Sequence, residues 1–333
     1  MRIGLLDQSI VYEEETAQST LAKTVSYAKK ADQLGFDAFY VSEHHLIDQM
    51  AGVSPEVLMG YLLAATSTIK IGSAGVMLQH FVPYKVAENI DVLANLAPDR
   101  VIVGVGKAQG GNDQVVKVLQ RDAFQKERPF DEKYREFVGL IRDELPPEHP
   151  YYETITLQPV IDTKPEMVLL GGSLESVALA HETTSGMIYP FFANGDRDAL
   201  HTIKSAFQIG SAQRFMVAVT VALVSSEVEK RAYLEQLASY TVHFISGKRL
   251  NFADETSAKA YQASQSEETW IEMKSIGAIV GTKETLAKAL QEFTEYYQIT
   301  DLVLHTPHQP YAQKEQLIDY LATKIELKRG VFL

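Results

Sequence analysis

"KIGSAGVMLQHFVPYKVAENIDVLANLAPDRVIVGVG", Lys70 to Gly106, reads as strand, helix, strand. "KIGSAGVML" (70–78) and "RVIVGVG" (100–106) are short apolar runs, and a helical segment opens between them at Pro83. Strands covered on both faces carry such near-continuous apolar runs, whereas strands with one wet face alternate. Two buried strands joined by a helix make a parallel pair with a right-handed crossover. The stretch therefore predicts an α/β protein built on a parallel sheet.

The same grammar extends in both directions. Upstream, "RIGLLD" (2–7) precedes an amphipathic segment with Leu21, Val25, Ala28 and Ala31 on one stripe and Gly35 as its stop. "DAFYVS" (37–42) then leads into "SPEVLMGYLLAATST", where Ser54 is the expected cap and Pro55 the first helical residue. Downstream come "EMVLLGG" (166–172), "GMIYPFF" (186–192), "RFMVAVTVALVS" (214–225) with a helix expected over 226–246, and "DLVLHT" (301–306). The count is eight strands, near 2–7, 37–42, 70–76, 101–106, 167–171, 187–191, 215–224 and 301–305. Eight strands alternating with helices predict a closed (β/α)8 TIM barrel. Two segments exceed a minimal barrel. Residues 150–165 alternate like a short hairpin insertion, and the polar run 246–270 reads as a lid insertion between strands seven and eight, with 247–266 over the barrel mouth. No solenoid period or linker composition interrupts the chain, so residues 1–333 read as one domain.

Composition narrows the function. The chain is 46% hydrophobic and 22% charged, enough for a large core. Its net charge of −12 argues against nucleic acid or an anionic membrane as partner. The absence of cysteine removes disulfides, thiolate metal sites and thiol nucleophiles. No signal-peptide pattern and no membrane-length apolar run is legible, which predicts a cytoplasmic protein.

In such barrels chemistry sits at the C-terminal ends of the strands. There this sequence places Asp7-Gln8-Ser9, Glu43-His44-His45, Gln79-His80, Lys107, and Gly171-Gly172-Ser173. A metal site drawing on Asp7, Glu43, His44, His45 and His80 is one reading, but His44 and His45 are adjacent and point different ways, so no metal ligand is assigned. The other reading makes these histidines loop caps. "LLGGSLESVALA" is a strand, a tight turn and a helix start, which suits an anion on free N–H groups beside Ser173 and Ser176, or plain capping by Ser173. Lys107 is the available countercharge.

"GLLDQSIV", "LGFDAFYVSEHH", "SPEVLMGYLL…GVGKAQGG", "MVLLGGSLESVALA" and "IVGTKETLAKAL…ITDLVLHT" run through nearly the whole chain in one order. In them the sequence resembles the bacterial-luciferase-like flavin monooxygenases, in the single-chain, FMN-dependent branch. The resemblance implies a barrel that uses FMN, as FMNH2 supplied by a separate NAD(P)H:flavin reductase, with O2 to oxidise a small organic substrate. It implies His44 as the catalytic residue, Lys107, Gly172, Ser173 and Ser176 as the phosphate site, and Ser73-Ala74-Gly75 as a bulge under the flavin ring, often with a cis peptide. It further implies a homodimer through helices of the first half. Where relatives carry Arg this chain has Lys107, a point charge rather than a fork, which implies modest FMN affinity. Where relatives carry Asn it has Leu46, and Leu6, Leu46, Met77, Phe81 and Phe191 suggest a partly apolar substrate. An F420-dependent oxidoreductase of the same superfamily and a non-catalytic flavin-binding subunit are the alternative functions.

Overall fold

The computed structural model describes residues 1–108, 110–111, 113–121, 128–152, 154–210, 213–247, 249–252, 255–274, 276–327 and 331–332. Strands β1 (Arg2–Asp7), β2 (Ala38–Val41), β3 (Lys70–Ser73), β4 (Val101–Gly106), β5 (Glu166–Leu170), β6 (Gly186–Pro190) and β7 (Phe215–Leu223) follow one another in the sheet. Three short strands, β8 (Ser239–Phe244), β9 (Arg249–Phe252) and β10 (Thr269–Lys274), come next in the chain, then β11 (Ala278–Gly281) and β12 (Asp301–His305). β6 pairs with β7, β7 with β12 and β12 with β1, all parallel, so eight strands close the predicted TIM barrel. Around it lie α1 (Ala17–Leu34), α2 (Pro55–Ala65), α3 (Pro83–Leu96), α4 (Asp113–Leu119), α5 (Phe130–Arg142) and α6 (Leu174–Glu182). They are followed by α7 (Phe191–Asn194), α8 (Arg197–Gly210), α9 (Glu227–Gln236), α10 (Glu255–Ala263), α11 (Leu286–Tyr297) and α12 (Tyr311–Lys324). None of the described helices is long and apolar enough to cross a membrane.

Local chemistry sets the element ends. Thr16 and Ser19 form a reciprocal capping box on α1, and Gly35 ends it at a φ of 86°. Pro55 opens α2 as expected, but the Ser54 side chain makes no capping hydrogen bond.

Alternation of side chains along each strand divides the core in two. Outward residues meet the helices in the large cluster that holds Ile3, Phe39, Val103 and Leu317. Inward residues fill the barrel with Leu6, Tyr40, Ile102, Val168, Ile188, Met216, Ala218 and Val303. Tyr40 is the bulkiest of these, and its hydroxyl reaches the Met216 sulfur at 3.4 Å. Gly72 on the neighbouring strand leaves the room: a Cβ there would stand 2.8 Å from the Tyr40 ring. Below this layer, at the N-terminal end, Arg214 is held by Asp301 (2.8 Å), Asp37 (2.9 Å) and Glu166 (3.1 Å).

Three expectations change. Among the described residues of 150–165 there is no strand, because Pro159 and Pro165 deny the ladder its N–H groups; instead Leu157 and Ile161 are buried from an irregular segment. The helix expected over 226–246 stops at Gln236, and "SYTVHF", which alternates with a period of two, becomes β8. The lid segment is not a loop. β8, β9 and β10 form an antiparallel sheet that packs with α10 on its own small core of Val242, Phe244 and Ala258. Residues 248, 253 and 254 of that segment lie outside the described residues.

Candidate active site

β2 ends at the rim of the barrel, and its alternation separates the Glu-His-His triplet. Glu43 is buried, accepts a hydrogen bond from the Met77 N–H (2.8 Å) and lies 2.7 Å from His45 Nε2. Burial raises the Glu43 carboxyl, against the Met77 N–H and His45, which lower it. It lines a cavity of about 430 Å³ outside the barrel with Glu56, His80, Phe81 and Asn89. Glu43 and His45 thus tie the loop to the turn after β3. His44 turns the other way, half-buried, with Nδ1 3.1 Å from Ser42 Oγ. Burial, and then the neighbouring His45, lower its pKa, so the imidazole is neutral at neutral pH. Ser42, which orients this ring, was missed by sequence reasoning although strand alternation places it at the last turn of the chain before the histidine.

The bulge after β3 carries a cis Ala74–Gly75 peptide. The Ser73 hydroxyl is committed to the backbone of the next strand: it donates to the Gly104 carbonyl (2.8 Å) and accepts from the Gly104 N–H (3.0 Å). Ser73 therefore shapes the bulge rather than offering a free hydroxyl. Val76 N–H donates to the Gly104 carbonyl at 2.8 Å, which continues the seam.

After β5, Ser173 caps α6 and accepts from the Ser176 N–H at 3.3 Å; the two hydroxyls stand 3.2 Å apart. Ser173 is exposed, and so are Gly172, Leu174 and Glu175. Of the two glycines, Gly171 is the constrained one, since a Cβ there would fall 2.4 Å from Ser176 Oγ, while one at Gly172 meets nothing closer than 3.5 Å. Lys107 is exposed at the end of β4. It is near enough for its charge to help lower the Glu175 carboxyl, whose larger stabiliser is the Ser173 hydroxyl. The N–H groups of the helix start, two hydroxyls and one ammonium make a donor set of the kind that holds a phosphate, with the Glu175 carboxylate on the Ser173 hydroxyl in this structure.

The apolar wall differs from expectation. Leu6 faces the barrel interior and Met77 is buried, but Leu46 is 64% exposed with a φ of 52°. Phe191 belongs to the outer core, against Phe293 (5.3 Å). Phe192 is the ring that packs with the barrel interior, 4.7 Å from His305. Pro190 ends β6, and the chain turns at once into α7, which reverses which phenylalanine faces in. Asp7 also faces out. It binds Lys314 (2.7 Å), Tyr311 (2.7 Å) and Thr24 (2.8 Å) beneath α1 and α12. Burial raises its pKa, but the Lys314 charge and these hydrogen bonds outweigh it and hold the carboxyl below the ordinary range. Among the described residues no three His, Asp or Glu side chains converge so as to hold a metal.

The sequence profile of the luciferase-like monooxygenases matches residues 1–298. The chain belongs to the luciferase-like monooxygenase family. It is 37% identical over 319 residues, 95% of each chain, to the N-acetyl-S-alkylcysteine monooxygenase of Bacillus subtilis (strain 168). Its fold is shared with apo-MsnO8 (TM-score 0.74, 24% identity, covering 100% of this chain and 99% of that one). It is also shared with the oxygenating constituent of 3,6-diketocamphane monooxygenase of Pseudomonas putida, a type II Baeyer–Villiger enzyme solved in complex with FMN (TM-score 0.69, 17% identity, covering 100% and 99%). The protein is therefore an enzyme of the monooxygenase class on a TIM barrel.

Proposed function

We propose that this enzyme uses reduced FMN and O2 to oxygenate a small, partly apolar thioether, with N-acylated S-alkyl amino acids as the substrate class. The observation that carries the cofactor is the closeness of Lys107 to the exposed start of α6, where Ser173, Ser176 and backbone N–H groups await an anion. The substrate class rests on the relative that matches 95% of the chain at 37% identity. Bound reduced FMN supplies the electrons that, with O2, deliver one oxygen atom to the sulfur and release the other as water. The chain's own part is binding and proton management. Lys107, Gly172, Ser173 and Ser176 hold the phosphate, and the Ser73–Ala74–Gly75 bulge supports the ring. His44, with Nδ1 held by Ser42, exchanges a proton through Nε2, which its neutrality permits. A separate NAD(P)H:flavin reductase supplies the reduced flavin. The chain pairs as a homodimer through α2 and α3, whose surfaces leave Val57 (75%), Tyr61 (65%) and Leu96 (73%) exposed.

The test is direct. After incubation with FMN, with F420 or with neither, the desalted protein should carry an FMN spectrum. With a generic flavin reductase it should convert N-acetyl-S-methylcysteine to a product heavier by one oxygen. His44→Ala should keep the fold and FMN binding, lose product, and release hydrogen peroxide as reduced flavin is consumed. A mutant that stays fully coupled overturns the role of His44; hydride transfer with F420 and no oxygenation with FMN overturns the whole reading.

A further inference from the structure

β12 and β7 are register partners, with Val303 beside Ala218 and His305 beside Thr220. Val303 and Ala218 face the barrel interior, and two residues further on the side chains return to the same face. His305 and Thr220 therefore stand one layer above the dry core, on the mouth side. His305 is 6% exposed and Thr220 is fully buried. The His305 ring is fixed on two sides: Phe192 packs at 4.7 Å, and Nε2 lies 2.8 Å from Gln8 Oε1. A carbonyl oxygen only accepts, so Nε2 carries the proton and Nδ1 presents a lone pair. That Nδ1 has no partner, nor has Thr220 Oγ1. The candidate catalytic imidazole is close by, since the charge of His44 bears on His305.

We propose that His305 Nδ1 is the substrate-recognition acceptor of this enzyme, receiving a hydrogen bond from the N–H of an acylated amino group. The inference deepens the reading of the substrate as an N-acyl thioether and rests on it. A buried acceptor without a partner costs about 1–3 kcal/mol, and a ligand N–H is the group that recovers it. The ring cannot serve a carboxylate. Burial, and then the Lys314 charge, push its pKa down to about 3, so it is uncharged over the working range. A neutral donor suits it, and an N-acyl group differs from a free ammonium in being neutral. The site thus separates amides from esters, which offer no N–H.

The experiment compares N-acetyl-S-methylcysteine with its ester isostere, in which oxygen replaces the N–H. Binding of each is measured by calorimetry with FMN present, and kcat/KM is measured alongside. Wild type should favour the amide about tenfold to hundredfold in both measurements. His305→Asn places an amide oxygen where Nδ1 stands and should keep the preference. His305→Gln keeps a donor toward Gln8 but no acceptor at Nδ1, and its ratio should fall to near one. If His305→Gln does not fold, Gln8→Leu leaves the histidine in place while removing the group that fixes its tautomer, and should lower the ratio in the same way. No amide preference in wild type, no binding of either ligand, or an unchanged ratio in the Gln variant overturns the proposal. Oxygenation with no amide preference sinks the recognition and leaves the proposed function standing. Preferential amide binding without oxygenation does the reverse.

Discussion

Acid should destabilise this protein through one buried histidine, and His305→Asn should remove that share. The His305 pKa is lowered to about 3, chiefly by burial, with the Lys314 and His308 charges adding to it, Asp7 opposing and His44 contributing least. In the unfolded chain the ring titrates near about 6.5. A depressed folded pKa means that the stability is fully present above about pH 6.5 and is lost as the pH falls toward 3, because the unfolded chain takes up the proton first. At pH 5 the loss is on the order of 2 kcal/mol, and at pH 6 it is smaller. The absolute curve is mixed. Asp91 is pushed up to about 6 by burial, and Glu43 and Glu56 are raised as well, so those groups gain stability in acid. The difference between two proteins isolates the histidine. Urea unfolding at pH 8, 6 and 5, followed by circular dichroism, should show wild type losing about 2 kcal/mol more than His305→Asn between pH 8 and 5. Parallel curves would refute the burial argument.

Two shorter predictions concern the cofactor side. Lys107→Ala should weaken FMN binding about tenfold and flatten its salt dependence, read by fluorescence titration at two ionic strengths; equal affinity would remove Lys107 from the phosphate site. Gly104→Ala would put a Cβ 2.0 Å from the Ser73 carbonyl oxygen, in the seam between β3 and β4. It should cost about 3 kcal/mol or more in urea unfolding, and a change under about 0.5 kcal/mol would show that the seam is not the constraint described.

The barrel was legible because a covered parallel strand has to be apolar on both faces, and all eight predicted strands lie within a residue or a few of those observed. What alternation decides was legible only in part. The sequence placed Glu43, His44 and His45 together at one strand end, and geometry sends Glu43 to the outer cavity with His45 bound to its carboxylate, and His44 to Ser42 instead. Phe191 was taken for the wall because the end of β6 could not be located to one residue, and one residue exchanges it for Phe192. The small sheet was hidden by its own polarity: β9 and β10 carry Arg249, Asn251, Glu272 and Lys274, and β10 pairs with β8 from across α10. β11 was missed because it is short and sits beside the upper half of β7, outside the closed ring. His305 had a signal that was not used, for it follows Val303 by two on the last barrel strand.

That strand carries the division of labour in the barrel within five residues. Asp301, at the N-terminal end, is buried and bound by Arg214 and Arg2, whose charge and hydrogen bonds overcome the effect of burial and lower its pKa. Val303 packs in the dry middle layer. His305, at the C-terminal end, is as deeply buried as the rest yet keeps one nitrogen without a partner. β7 repeats the series, from Arg214 just before it through Met216 and Ala218 to Thr220 with its hydroxyl unmatched. A chain selected for stability alone would satisfy or replace buried polar groups at both ends, since each orphan costs about 1–3 kcal/mol. On these two strands the orphans, His305 Nδ1 and Thr220 Oγ1, stand at the end where barrel enzymes bind their substrates, while Asp301 and Arg214 at the opposite end are paired. The asymmetry runs along single strands, so it cannot be a property of composition. It is a property of which end of each strand faces the chemistry.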